Sequence, residues 1–179
     1  MRKEQKANYP ESARGAAALL VRMVLEDGAY TNIALNQYLR GSRLSDLDRR
    51  LATELVYGTV KASGTLDWYL AQCVSRPLDK VAGDILAILR ISTYQLLYMT
   101  RIPASAAVNE AVKLARSVSH EGSAKFVNGV LRGLLRKQEA GAFVLPDAEK
   151  QDADYLSLKY YHPRWLVKRW LGPWGRAGL

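Results

Sequence analysis

The chain has 179 residues, 49% of them apolar, with 26 lysines and arginines against 17 carboxylates, a net charge of +9. That length fits one domain plus an appendage, and that apolar share builds a packed core, which excludes a disordered chain. A lone cysteine, Cys73, excludes an intramolecular disulfide and a disulfide-stapled secreted scaffold, so a reducing cytoplasm is the expected compartment, while the positive excess favours polyanions, nucleic acid first.

No sustained period-two alternation occurs, and helical spacing runs through most of the sequence, so the expected fold is all-α. Residues 1–10 form a basic arm (Arg2, Lys3, Lys6) without the apolar stretch of a signal peptide. Residues 11–27 put Ala16, Leu20, Met23 and Val24 on one stripe, closed by Asp27-Gly28. Thr31 caps a second helix, with Ile33, Leu35 and Leu39, that stops at Gly41. Ser45 caps a third, with Asp46 and Asp48 at its positive end and Leu47, Leu51, Leu55 and Val56 inward. A turn at Ser63-Gly64 leads to a further helix over 66–74, and Arg76-Pro77 breaks the chain. The next helix, from Gly83 to Met99, is the most apolar. Its greasy part is about 15 residues long, short of the roughly 20 that span a bilayer, and contains Arg90 and Gln95, so it is a core helix. Pro103 opens another, with Val108, Ala111, Val112 and Ala115 inward; after a turn at Ser119–Gly122, Ser123 starts a helix that runs to Lys137. Residues 138–152 read as a linker, and 153–179 carry two short helices split at His162-Pro163. The expected architecture is a bundle of about seven helices, residues 11–137, followed by that linker and small trailing unit.

Residues 125–137, KFVNGVLRGLLRK, carry the most information. Advancing about 100° per residue from Lys125, the residues Phe126, Val127, Val130, Leu131, Leu134 and Leu135 fill a broad inward arc. Lys125, Asn128, Gly129, Arg132 and Arg136 share the opposite face. Each interior glycine costs a helix roughly 1 kcal/mol relative to alanine, so Gly129 and Gly133 imply close approach of a neighbouring helix or of a ligand phosphate. Lys113 and Arg116, beside Asn109 on the preceding helix, widen the cationic face, and Glu110 blunts it. A second basic cluster joins Arg14 and Arg22 to the N-terminal arm. The tail carries Lys159, Arg164, Lys168, Arg169 and Arg176 among Trp165, Trp170 and Trp174, which serve either to stack bases or to dock a following domain.

Catalytic chemistry is not found. His120 and His162 have no metal-ligand spacing, Cys73 follows an apolar run that suits a buried thiol, and neither a phosphate loop nor a strand followed by a G-x-G-x-x-G turn is present. The expected site is therefore a binding face, Arg14, Lys113, Arg116, Lys125, Asn128, Arg132 and Arg136, with no catalytic or metal-binding residue.

The run ILRISTYQLLYMTRIPASAAVNEAVKLARS, followed by SAKFVNGVLRGLLR, resembles the NusB family. RRLATELVYGTVKASGTLDWYL, residues 49–70, is similar to the NusB-like front region of the RsmB (Sun/Fmu) rRNA methyltransferases, and YLSLKYYHPRWLVKRWLG, residues 155–172, to the connector into their catalytic domain. The resemblance implies an RNA-binding domain that targets 16S rRNA for an enzyme methylating cytosine C5 with S-adenosylmethionine. It also implies that the cofactor pocket and the catalytic cysteine lie in a Rossmann-like domain absent from this chain; Cys73 matches neither functional cysteine by context. The expected chain is thus the front part of a longer enzyme, with rRNA and that missing domain as partners and no membrane or metal. A stand-alone antitermination factor and a scaffold that packs only on its own catalytic domain are the competing readings.

Overall fold

The computed structural model describes residues 8–145 and 157–158. Six α-helices and one 3-10 turn make up the described part: α1 (Ala13–Leu25), α2 (Thr31–Gly41), α3 (Asp46–Ala71), the turn at Leu78–Lys80, α4 (Gly83–Tyr98), α5 (Ala104–Val118) and α6 (Glu121–Glu139). The all-α expectation holds. The basic arm over 1–7, most of the linker and the tail with His162 and its three tryptophans lie outside the described residues.

α4 is the centre of the bundle because it is apolar on every side. Ile85, Leu86, Ala87, Ile88, Leu89 and Ile91 are all buried, and α1, α3, α5 and α6 pack around them. Its one strongly basic residue is held rather than solvated: Arg90 donates through Nε and Nη2 to the two carboxylate oxygens of Asp67 on α3, both at 2.8 Å. Such a two-pronged pair fixes orientation as well as distance. α1 approaches α3 and α4 through the fully buried Ala16, Ala17 and Ala18.

The start of α1 shows why small residues stand there. Ser12 caps the helix, its Oγ accepting the Gly15 N–H at 3.0 Å, and its own N–H donates to the Pro10 carbonyl at 2.9 Å. That carbonyl folds back over Gly15, leaving no room for a Cβ. Just upstream, the Tyr9 hydroxyl donates to Asp84 in the first turn of α4. Arg22 also reaches Asp84, at 2.6 Å, and Glu26, at 3.2 Å. Burial, then the Asp84 carboxylate, pushes the Tyr9 phenol above its usual range.

Several sequence expectations are corrected. The turn at Ser63-Gly64 does not exist: α3 runs unbroken through it to Ala71, which removes one helix from the expected seven and ends the 66–74 segment early. Thr59, Ala62, Thr65 and Leu66 are buried along one continuous stripe, and packing of that length outweighs the roughly 1 kcal/mol cost of a single glycine. Leu47 does not face inward and is 75% exposed, while in α2 Ile33 is 60% exposed and Ala34 and Leu35 supply the buried part. Thr31 is the first residue of α2 and Tyr30 its cap. α6 begins at Glu121 instead of Ser123, because the His120 ring Nδ1 accepts the Ser123 N–H and caps the helix two residues early. It ends at Glu139, inside the expected linker. Cys73 is half-buried, and burial pushes its thiol up, against the activation a nucleophile needs.

After α6 the chain returns to α3: Phe143 packs on Tyr69 with ring centroids 4.8 Å apart, and the Thr65 hydroxyl donates to the Leu158 carbonyl at 2.9 Å. Among the described residues no helix is long and apolar enough to cross a membrane.

Candidate functional site

The two faces of α6 separate cleanly. Ala124, Val127, Val130, Leu131 and Leu134 are buried against α5 and α4, and Lys125, Gly129, Arg132 and Arg136 are exposed on the other side. At 1.5 Å per residue, Arg132 stands about 10 Å beyond Lys125 along the axis and Arg136 about 6 Å further. The half-exposed Asn128 accepts the Arg132 Nε–H through Oδ1 at 2.9 Å, which steadies the guanidinium in mid-row. None of Lys125, Arg132 and Arg136 pairs with a carboxylate among the described residues, so their charge faces solvent.

The cations expected on α5 differ. Arg116 forms an ion pair with Glu121 at the start of α6, Nε to Oε2 at 2.6 Å, and Lys113 lies 3.6 Å from Glu110. The Arg116 guanidinium holds the Glu121 carboxyl below the usual carboxylate range, with the Lys125 charge adding to the effect. Both members of that pair are exposed, so it is screened by salt and contributes little to stability. Its consequence is electrostatic: the turn between α5 and α6 is largely neutralised, and the open cationic row begins only at Lys125.

Arg14 belongs elsewhere. It lies on α1, where its Nε donates to the buried Gln95 of α4 at 2.9 Å. Arg22 is not a free cation either, since Asp84 and Glu26 occupy it. The structure therefore brings Lys125, Asn128, Arg132 and Arg136 together, puts the ion-paired Lys113 and Arg116 on the helix beside them, and holds Arg14 in the bundle.

Gly129 sits in the middle of the row, and no neighbouring helix explains it: a Cβ there would meet nothing within 4 Å, and at Gly133 only the Arg136 guanidinium at 3.8 Å. Helix-to-helix contact is thus removed as the reason for either glycine. The sequence reading also missed that Arg76 lies over the Phe126 ring, 4.7 Å from its centroid, and that the Lys137 ammonium donates to the Gln72 carbonyl. The second contact ties Lys137 to the end of α3, off the row.

Among the described residues no group of three or more His, Cys, Asp or Glu is placed to hold a metal ion. The described residues do not fit S-adenosylmethionine either: they form helices only, with no sheet and no glycine-rich strand-to-helix turn to cradle it.

An all-α bundle with a central apolar helix and a two-faced last helix defines the class of protein, a NusB-like domain. The NusB family model matches residues 11–136, and the chain belongs to that family. In sequence it is 40% identical over 166 residues to a probable ribosomal RNA small subunit methyltransferase B of Synechocystis sp., which covers 93% of this chain and 36% of that protein. The chain spans about a third of the length of the curated relatives it matches. In fold it is similar to T. maritima NusB, with a TM-score of 0.65 and 21% identity over 75% of this chain and 98% of that one. It is also similar to a crystal structure of the antitermination factors NusB and NusE in complex with dsRNA, with a TM-score of 0.64 and 20% identity over 70% and 95%.

Proposed function

We propose that this chain is the RNA-binding, rRNA-targeting domain of a 16S rRNA (cytosine-C5) methyltransferase and is itself non-catalytic. The observation that carries the reading is the open row of Lys125, Asn128, Arg132 and Arg136 along one exposed face of α6. Cations spaced along a rigid helix suit a phosphate chain, whose binding releases counterions. In this reading residues 11–137 form the RNA-binding body, with the ion-paired Lys113 and Arg116 beside the row on α5 and Arg14 held to Gln95 on α1, away from it. Residues 138–152 link it to the segment over 153–179, which leads toward a methyltransferase domain outside this chain. S-adenosylmethionine, the methyl donor expected of the whole enzyme, belongs to that further domain. The kinship with small subunit methyltransferases supports this assignment over a stand-alone antitermination factor.

The experiment is a salt titration of single-stranded rRNA fragments against the 179-residue chain. Each phosphate neutralised contributes about −0.7 to the slope of log K against log salt. Replacing Lys125, Arg132 and Arg136 together with alanine is expected to weaken binding and flatten that slope by about 2. Unchanged affinity and slope remove α6 from the interface, and no RNA binding by the unsubstituted chain leaves the intramolecular scaffold as the function.

Gly129→Ala separates structure from binding at the same place. With open space around its Cβ, alanine is expected to raise stability by about 0.5–1 kcal/mol through helix propensity. If the glycine is there for a phosphate to come close to the backbone, RNA affinity falls while stability rises. A variant both more stable and equally tight gives the glycine no role in binding.

A further inference from the structure

We infer a second contact surface for single-stranded RNA, on the groove between α2 and α3, where Tyr57 stacks an unpaired base and Arg50 and Lys61 hold the phosphates on either side. The inference takes its ligand class from the RNA-binding reading above, but none of its residues.

The groove is lined by Leu39, Arg49, Arg50, Thr53, Glu54 and Tyr57. Arg50, Tyr57 and Lys61 occur at i, i+7 and i+11 and so share one stripe of α3, outward from the buried Leu55, Thr59, Ala62 and Leu66. Tyr57 is 46% exposed in the middle of a long helix, so much of its ring is open to a flat partner. Arg50 and Lys61 are exposed, and neither forms an ion pair with a carboxylate among the described residues. On α2 the exposed Arg40 lines a separate hollow with Ile33, Asn36 and Gln37.

Charge decides the occupant. The one carboxylate in the groove, Glu54, is already paired with Arg101, so what remains facing solvent is positive. An apolar peptide would have to bury those cations without partners, whereas a nucleotide chain supplies a phosphate for each and a flat base for the ring. The far wall is stiff: Arg49 Nη1 donates to the Leu39 carbonyl at 2.8 Å, tying α3 to α2. Asp46, one turn before Arg50, bounds the track at one end. The Leu158 carbonyl on Thr65, one turn past Lys61, bounds it at the other. That leaves room for a few nucleotides, and a duplex, whose bases are already stacked, cannot offer one to Tyr57.

The test uses the 179-residue chain and a fluorescein-labelled, mixed-sequence single-stranded RNA of 20 nucleotides, with the matching duplex alongside. Tyr57→Ala is expected to weaken single-strand binding by roughly five- to a hundredfold, the range found for loss of one stacked base, and to leave duplex binding unchanged. Tyr57→Phe is expected to keep single-strand binding, because the ring does the stacking. Arg50→Ala with Lys61→Ala is expected to reduce the salt slope by about 1.4, for two phosphates. Circular dichroism melts certify that each variant is folded; all three sites are on the surface. If Tyr57→Ala binds the single strand as well as the unsubstituted chain while the α6 triple variant has lost it, this surface is overturned and the RNA-binding reading stands. If the unsubstituted chain binds neither RNA, both fall together.

Discussion

Leu131→Ala is expected to lower the unfolding free energy by about 2–5 kcal/mol, the range for a buried leucine truncated in a core that cannot fully collapse. Leu131 is fully buried, in the same turn of α6 as the exposed Arg132. A domain of this size has only about 5–15 kcal/mol in hand, so the loss is a large share of the whole. Arg132→Ala, one residue away, removes only the contact to Asn128 and is expected to change stability by less than about 0.5 kcal/mol. Urea unfolding of the two variants checks the contrast. A loss below 1 kcal/mol for Leu131→Ala would mean that the inner face of α6 is not packed as described. RNA affinity, measured where both variants remain folded, is expected to move the other way, falling for Arg132→Ala and holding for Leu131→Ala.

Gly15→Ala is expected to destabilise the chain by about 1–3 kcal/mol, although alanine is the better helix former, because overpacking of that size outweighs propensity. The added Cβ would press on the Pro10 carbonyl oxygen, a backbone atom held by the Ser12 N–H, and also crowd the Ser12 hydroxyl that caps α1. Moving either loosens the cap, itself a contribution of about 1 kcal/mol. Gly64→Ala is the control, since a Cβ there meets nothing within 4 Å in a continuous helix, and it is expected to stabilise by about 0.5–1 kcal/mol. Thermal melts of the pair read the opposite signs. A stabilised Gly15→Ala would show that the approach of Pro10 to α1 is not maintained in solution.

What was legible in the sequence was what is local. The apolar run over 85–99 announced a core helix, Ser45 caps α3 with its Oγ accepting the Asp48 N–H, and Gly28 closes α1 with a φ of 72°. The two faces of α6 followed from periodicity alone, because a helix converts spacing into direction. Long-range events were not legible. Nothing near Arg22 signals that Asp84, 62 positions away, takes its charge, and nothing near Arg14 points to Gln95. Ser63-Gly64 looked like a turn because propensity weighs one residue, whereas the buried stripe of α3 weighs eight. Arg116 and Glu121 belong to different helices, so no helical spacing connects them; only the geometry of the turn does. The stripe of Arg50, Tyr57 and Lys61 has the right spacing, but spacing alone does not distinguish it from any solvated outer face of α3.

Asp84 accepts from both Tyr9 and Arg22, which pins the segment entering α1 to the first turn of the central helix. A fluorophore placed on the exposed Asn8, next to Tyr9, is therefore held close to that spot. Distances measured from such a label refer to α4, and a change in them reports that this carboxylate has released its two donors.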